Sequence, residues 1–438
     1  MYSSFTIKKS QLLILFAALF PIMPYYFTIF RFNANTILCI VLFIGGMLGG
    51  LKAIYLYRIH SYLLGVSLAA WIVINLVILM KVDSLGQTIV FFVQTFGLYI
   101  AFMPLIKQRV SFLSCIRALV YTSGVVAVFG IVEEIVGFNI FSLLNNTNAA
   151  LNYNSARFGM TRIISYSAQT IVYGLYIMFC MVLILYLLQF DSKKAERIKL
   201  KTIYVLLWIN LLLTFSRSSI IAAVIAQILF WVLSSERHKV LKTFKWLAIL
   251  AFGLGMMYLI FPQIRELLSN SLWMILALFD DKYTSLISGT FGENLGGVGN
   301  RIDLYQWVSS SMPGHWLFGY GVHTPFEYEF KNSNGMYSWY ATKKGIEVQY
   351  LNLLYHKGLL GMISETVVYI ALLFTSFVSR RKASWEVKTG FNTVVFSVLF
   401  SYFLAFFSVN QSSDVYIFYI FVLLYLGYNR FKKYEEDI

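Results

Sequence analysis

Charged residues are scarce in this chain, and their scarcity excludes an ordinary soluble domain. Only 13% of the 438 residues are Asp, Glu, Lys or Arg, which is about half the share in typical soluble proteins. Apolar residues make up 59% of the chain, and its 39 Phe and 30 Tyr are more than one soluble core could bury. With a mean hydropathy of +0.70, the sequence predicts a protein whose solvent is largely lipid.

Cysteine, histidine and proline are also few. Cys39, Cys115 and Cys180 all lie in apolar stretches, so neither a disulfide set nor a metal cluster is predicted. The five histidines include no H-E-x-x-H pair, and we expect no metal and no cofactor. Six prolines and 28 glycines exclude a collagen-like or disordered chain.

Apolar runs long enough to cross a bilayer recur along the chain. Each crossing needs about 20 residues, and the runs predict an all-α, polytopic integral membrane protein with about 12 spans. The first run follows two lysines but lacks a small-residue cleavage site, so we interpret it as an uncleaved helix. The predicted spans are 11–30, 36–56, 61–80, 85–106, 111–136, 169–190, 202–216, 217–234, 246–262, 358–378, 389–408 and 415–429.

The positive charges predict the orientation of these spans. The alternate connections that include both termini hold 22 of the 35 Lys and Arg residues, which predicts that both termini are cytoplasmic. The net charge of +15 then comes from clusters that flank helices, where they meet anionic lipid headgroups. No nucleic-acid partner is needed to explain it.

The spans divide the chain into three parts. Residues 1–262 are predicted to form a membrane bundle of nine spans, and residues 358–438 add three more with a cytoplasmic tail. Between them, residues 263–357 form a large outer loop, in which 265–279 is predicted as an amphipathic helix lying on the membrane or, alternatively, as a re-entrant segment. Loops of this size in compact proteins are usually functional.

Arg217 is the first residue that could carry chemistry. It follows Ser216 and interrupts an apolar run that would otherwise exceed thirty residues. An arginine there is costly in lipid unless it reaches water or a ligand. Its side chain could anchor the helix at the interface, or its guanidinium could bind a phosphate group in bidentate geometry.

Two further segments of polar and aromatic residues follow. Arg301 and Asp303 lead a predicted short helix that contains Trp307, and a glycine-framed turn is predicted at 317–322. Beyond them, Glu347 and Tyr350 belong to a helical pattern that predicts a helix entering the membrane with Glu347 near its outer start. The alternative is that this carboxylate only complements the helix dipole.

The order and spacing of these segments resemble the O-antigen polymerase and O-antigen ligase superfamily of bacterial polysaccharide assembly. The resemblance lies in the Ser216–Arg217 pair that opens a helix, the R-x-x-x-x-x-W stretch from Arg301, the turn from Pro313 to Gly321, and the glycine-containing helix from Tyr350 to Gly361. Ligases of this superfamily carry H-[NSQ]-x9-G-x-x-[GTY]. Here Gly358 and Gly361 take the glycine positions, but Glu347 and Val348 replace the first two residues, which favours the polymerase branch.

The resemblance implies a metal-independent, inverting glycosyl transfer at the outer face of the bacterial plasma membrane. Undecaprenyl diphosphate would be the leaving group, stabilised by Arg217 and Arg301, and Glu347 would be the general base, with Asp303 in reserve. Trp307 and Tyr350 complete the predicted substrate-binding set. The implied partners are membrane lipid, lipid-linked glycans as donor and acceptor, a chain-length regulator and a flippase.

Two alternatives remain open at this point. One is an O-antigen ligase with a substituted histidine. The other, from a different class, is a multi-span transporter or a flippase for lipid-linked oligosaccharides. Transporters tend to place ionisable groups near the bilayer midplane, whereas the notable charges of this sequence cluster at the predicted outer interface and in the outer loop.

Overall fold

The protein is mostly helical in the computed structural model, which describes residues 9–24, 26–29, 32–48, 61–83, 85–93, 109–147, 156–157, 160–167, 169–234, 269, 273, 298–322, 324–333, 338–383, 386, 388–407 and 415–436. The helices of this part are α1 (Lys9–Leu19), α2 (Ala34–Leu48), α3 (Tyr62–Val82), α4 (Leu85–Phe92), α5 (Arg109–Val136), α6 (Thr170–Leu187), α7 (Lys194–Leu213), α8 (Arg217–Leu233), α9 (Val298–Ser311), α10 (Gln349–Val378), α11 (Phe391–Ala405) and α12 (Val415–Glu436). Short antiparallel pairs are formed by β1 (Thr28–Ile29) with β2 (Phe32–Asn33), β3 (Ala156–Arg157) with β4 (Met160–Thr161), and β5 (Glu327–Ser333) with β6 (Ser338–Lys344).

Four of the described helices are long and apolar enough to cross a membrane: α3, α5, α6 and α10. Shorter apolar helices cover Ser218–Leu233, Phe391–Ala405 and Ile420–Asn429. The helical class is confirmed, whereas the count of twelve spans stays a prediction, and the predicted span 246–262 lies outside the described residues. The span predicted at 358–378 is the second part of a longer helix that begins at Gln349.

Helix α6 forms the centre of the bundle. It packs against α5, α7, α8 and α11, and nearly all of its side chains are buried, including Tyr173, Tyr176 and Phe179. At Gly174 the neighbouring helix α8 comes so near that a Cβ atom would lie 2.4 Å from the Cβ of Ser219. A side chain at position 174 would therefore force the two helices apart.

One end of the bundle is organised around the buried carboxylate of Glu386. It accepts hydrogen bonds from the hydroxyls of Tyr186 (2.8 Å) and Tyr428 (2.9 Å) and from the backbone N–H groups of Ala383 (3.0 Å) and Phe391 (2.8 Å). These donors belong to the end of α6, to α12, to the connection after α10 and to the start of α11. The carboxylate thus ties four segments together, and we refer to this as the Glu386 end.

The opposite end contains the start of α8, and we refer to it as the Arg217 end. There the hydroxyl of Ser219 donates to the carbonyl of Ile171 (2.8 Å), so α6 and α8 begin side by side. Since α6 ends and α11 begins at Glu386, α11 runs antiparallel to α6 and finishes at the Arg217 end. With 18 residues in α6, the two ends are about 27 Å apart.

Contacts between distant segments occur at both ends of the bundle. At the Arg217 end, the backbone N–H of Thr28 donates to the side chain of Asn146 (2.9 Å). At the Glu386 end, Arg117 forms an ion pair with Asp191 (2.7 Å). Arg117 lies within the predicted span 111–136, and this ion pair gives its charge a partner. The orientation of the two ends across the membrane stays a prediction.

The outer segment contains a β-hairpin, whereas the sequence pattern predicted only short amphipathic helices there. Strands β5 and β6 pair in register over seven residues each, from Glu327 opposite Lys344 to Ser333 opposite Ser338. Tyr328 is buried against α9, so one face of the hairpin belongs to a hydrophobic core. The amphipathic helix predicted at 265–279 falls almost wholly outside the described residues.

The Glu386 end yields a prediction for the pH dependence of stability. Burial raises the pKa of the Glu386 carboxyl, while its four hydrogen bonds act in the opposite direction. Because a raised pKa favours the protonated form in the folded state, its stabilising contribution is present below the unfolded pKa of about 4.3 and is lost as pH rises through the folded value. The difference between the melting temperatures of the wild type and of Glu386→Gln, taken as wild type minus variant, should therefore decrease as pH increases. A difference that grows with pH would contradict this sign.

Candidate functional site

Helix α10 is sharply bent at Gly358. This glycine has φ +67° and ψ −172°, which are not helical values. The side chain of Gln349 donates to Glu365 at 3.2 Å, although 16 residues separate them and a straight helix would put them about 24 Å apart. Glu365 also pairs with Lys357 at 3.4 Å, so its carboxylate holds the two halves of the bent helix together.

The predicted turn at 317–322 packs its backbone directly against this bend. The N–H groups of Tyr320 and Gly321 donate to the carbonyls of Tyr355 (2.9 Å) and His356 (3.0 Å), which the bend leaves without helical partners. In return, the N–H of Leu359 donates to Trp316 O at 2.7 Å. The turn and the bent helix, which the sequence analysis treated as separate motifs, are therefore one hydrogen-bonded unit.

Two glycines make this close approach sterically possible. A Cβ on Gly319 would lie 2.5 Å from the carbonyl carbon of His356, and a Cβ on Gly358 would lie 2.4 Å from the carbonyl of Leu317. Both residues also have positive φ angles, +71° and +67°. Glycine is needed at both positions because backbone atoms face them and because other residues rarely adopt these angles.

Helix α9 covers the start of α10 from outside. Leu304 and Val308 of α9, together with Met312 directly after it, form one buried cluster with residues of α10 and with Val348, which is adjacent to Glu347. Trp307 is on the exposed side of α9, with 45% of its surface accessible. Arg301 and Asp303 lie in the same helix, and the structure describes their backbone only.

Glu347 and Tyr350 flank the first residues of α10. Glu347 is exposed and precedes the helix, which begins at Gln349 with Val348 as its N-cap. Glu347 is therefore near the start of α10, two residues before its first residue, and the first turn itself contains no acidic residue. Tyr350 is half-buried, and its hydroxyl donates to Phe403 O at 3.2 Å.

Arg217 is the first residue of α8, as the sequence predicted, and Ser216 is its N-cap. A tight turn at 214–216 reverses the chain between α7 and α8, and Phe215 within it has a φ of +47°. The hydroxyl of Ser216 lies 2.9 Å from that of Ser219. The side chain of Arg217 is outside the described part of the structure.

The structure brings Arg217 and Glu347 to the same end of the bundle. Helix α11 packs against α8, and its last turn reaches the Arg217 end. There Phe406 O accepts a hydrogen bond from the backbone N–H of Gln349 at 3.1 Å. The start of α8 and the start of α10 are therefore joined through the end of α11, with α9 packed on the outside.

Two residues that the sequence analysis did not single out support these elements. The guanidinium of Arg162 donates from Nε to Thr214 O at 3.0 Å, next to the start of α8. The carboxylate of Asp83 accepts from the backbone N–H of Val322 at 3.1 and 3.0 Å, below the turn at 317–322. The partner of each residue is distant in sequence, so no local sequence motif marks either residue.

Loss of the Asp83 carboxylate should loosen the turn. In the Asp83→Ala protein, Val322 N–H loses its acceptor, and we expect a cost of about 1 kcal/mol because the bond is near solvent. Amide hydrogen exchange of the turn should become faster, while exchange at the Glu386 end stays unchanged. Asp191→Ala is the matched control, since it removes an aspartate at the opposite end. Equal exchange of the turn in both variants would contradict the assigned role of Asp83.

These features define a polytopic membrane protein with a candidate site built at one end of its helical bundle. The O-antigen ligase family matches residues 202–365, a range that contains Arg217, Arg301, Glu347 and the bend at Gly358. This part of the chain is thus similar to the O-antigen ligase family. No curated protein matches the chain.

Proposed function

We propose that this protein is a polymerase that joins oligosaccharide repeat units carried on undecaprenyl diphosphate, at the outer face of the bacterial plasma membrane. The observation that carries the proposal is the convergence of Arg217 and Glu347 at one end of the bundle, where the helix that bears Arg301 packs against residues next to Glu347. The product would be O-antigen, capsule or exopolysaccharide. The Arg217 end would face outward, and both termini would be cytoplasmic.

The proposed reaction moves the growing glycan from one lipid carrier to the next repeat unit. A bond forms between a sugar hydroxyl of the acceptor and the anomeric carbon of the donor, while the bond from that carbon to the diphosphate oxygen breaks. Attack from the face opposite the leaving group inverts the anomeric carbon. The hydroxyl proton passes to a base, and the electron pair leaves with the diphosphate.

The two arginines have the chemistry to stabilise that leaving group. Charge develops on the diphosphate oxygens as the bond breaks, and guanidinium groups bind such oxygens in bidentate geometry without a metal. Arg217 begins a helix, so the positive end of the helix dipole adds to its charge. Arg301 is in the helix packed across the start of α10, which would place it on the outer side of the same diphosphate.

Glu347 is our proposed general base. It is exposed, so an acceptor hydroxyl can reach it, and its neighbour Val348 is buried in the cluster with α9, which fixes the backbone at this position. Accepting a proton from a positioned hydroxyl is a role that carboxylates commonly perform. Asp303 is the reserve candidate, while Trp307 offers an exposed ring against which a sugar could stack.

A ligase that transfers finished polymer to an acceptor is the second candidate, and it is equally consistent with the matched family, which is described as O-antigen ligase. Glu347 in place of the ligase histidine is what favours the polymerase. Gel analysis of surface glycan from a deletion strain separates the two. A polymerase deletion should leave single repeat units on a complete acceptor, whereas a ligase deletion should leave polymer on the lipid carrier. An unchanged ladder would contradict both and would revive the transporter interpretation.

A further inference from the structure

The segment that follows β4 is held against the Arg217 end by buried polar groups. The carboxylate of Glu133, 6% exposed, accepts hydrogen bonds from the backbone N–H groups of Ile164 (3.2 Å) and Ser165 (2.8 Å). The amide of Asn139 donates to Ser165 O at 2.7 Å. Ser165 has a φ of +51°, so these bonds hold the backbone in a conformation that a serine rarely adopts unaided.

This anchoring places Arg162 between the end of α7 and the start of α6. Its Nε donates to Thr214 O at 3.0 Å, and its Nη2 donates to the hydroxyl of Thr170 at 2.5 Å. The neighbouring N–H of Ile163 donates to Leu213 O at 3.4 Å. One guanidinium therefore connects two helix termini, which its planar, forked geometry suits better than the ammonium of a lysine.

The carbonyl that Arg162 binds belongs to the turn that positions Arg217. Thr214 precedes Phe215, whose φ of +47° is unfavourable for a residue with a large side chain. The hydroxyl of Thr214 in turn accepts from the backbone N–H of Ser216 at 3.2 Å. Because Thr214 is held, the residues that lead into Arg217 and the rest of α8 have a fixed orientation.

We infer that Arg162 is a positioning residue that locks the 214–216 turn and thereby places Arg217 against the lipid-linked diphosphate. The part of this inference that concerns diphosphate rests on the proposed function, whereas the locking of the turn does not. Arg162 lies outside the region that matches the O-antigen ligase family, residues 202–365. The buried groups around Glu133 serve to hold Arg162 in place.

Hydrogen exchange on the purified full-length protein tests the locking directly. Arg162→Ala should raise exchange in peptides covering 214–220 by about tenfold, because the turn loses a charge-assisted hydrogen bond. Exchange of the same peptides should also be faster than wild type in Arg162→Lys, because lysine keeps the charge but lacks the planar guanidinium that donates to two acceptors. Arg117→Ala is the matched control, since it removes a guanidinium from the Glu386 end. Unchanged exchange in the turn, or a rise shared across the whole protein, would overturn the inference.

The glycan ladder of the same variants tests the consequence for Arg217. Arg162→Ala should shorten the ladder while Arg117→Ala leaves it normal, and Arg162→Lys should resemble Arg162→Ala. A normal ladder despite a loosened turn, or full rescue by lysine, would overturn the positioning role. If instead the gene deletion leaves the ladder unchanged, the proposed function fails, and the exchange data still decide whether Arg162 locks the turn.

Discussion

Arg217→Ala should abolish polymer, leaving single repeat units in the glycan gel while an immunoblot shows normal protein. The expected loss is large because Arg217 is proposed to stabilise the charge that develops on the departing diphosphate. Removing one donor of this kind from an enzyme typically costs about 10² to 10³ in rate, which is enough to erase a ladder that needs many successive transfers.

Controls separate this role of Arg217 from folding. Arg117→Ala removes a guanidinium that pairs with Asp191 at the opposite end, and its ladder should be normal. Arg217→Lys retains the charge but not the bidentate geometry, so it should give short chains. A full-length ladder from Arg217→Ala would show that this arginine is only a helix anchor at the interface.

Gly358→Ala should be strongly destabilising. Its Cβ would lie 2.4 Å from Leu317 C and O and 2.5 Å from Phe318 N, and backbone atoms cannot swing aside as a flexible side chain would. The bend and the turn must separate to relieve the clash. We expect a loss of about 3 kcal/mol or more, measured as a lower melting temperature in detergent.

Gly345→Ala is the matched control for Gly358→Ala. Gly345 also has a positive φ, +83°, but nothing lies within 4 Å of its missing Cβ. Its replacement should cost only the backbone strain of about 1 kcal/mol. The difference between the two variants therefore measures the close approach alone, and equal costs would contradict the packing of the turn against the bend.

The long helices were predictable because apolar runs extend over their whole length. The span predicted at 61–80 is the helix Tyr62–Val82, and the one predicted at 111–136 is Arg109–Val136. The break before Arg217 was also predictable, since a charged residue after a serine interrupts one apolar run. The structure places the start of α8 at that residue.

The hairpin β5–β6 has a recognisable signal in the sequence. Residues 327–333 and 338–344 are rich in aromatic residues, and Asn334–Gly335 lies between them, a pair typical of hairpin turns. Only helices were predicted in this outer loop because the rest of the chain is strongly apolar and helical in pattern. Tyr328 then secures the hairpin by packing into the cluster with α9.

The assembly of the site was not predictable, because it depends on contacts between distant segments. Asp83 and Val322 are separated by 239 residues, and Arg162 reaches Thr214 across 52. No local pattern encodes such pairs. The sharp bend at Gly358 was hidden as well, since glycine in an apolar run predicts only a weaker helix. The sequence itself singled out Arg217, Arg301 and Glu347, but their proposed roles in glycosyl transfer came from the resemblance to a family.

Reconstitution of the purified protein tests whether it elongates lipid-linked glycans. The protein is placed in liposomes with lipid-linked repeat units from its host, in the presence of a metal chelator, and the glycans are separated by size. The proposed function predicts a ladder with wild-type protein and none with Glu347→Gln or Arg301→Ala. A ladder of equal length from wild type and all site variants, or no elongation by wild type in any condition, would contradict it.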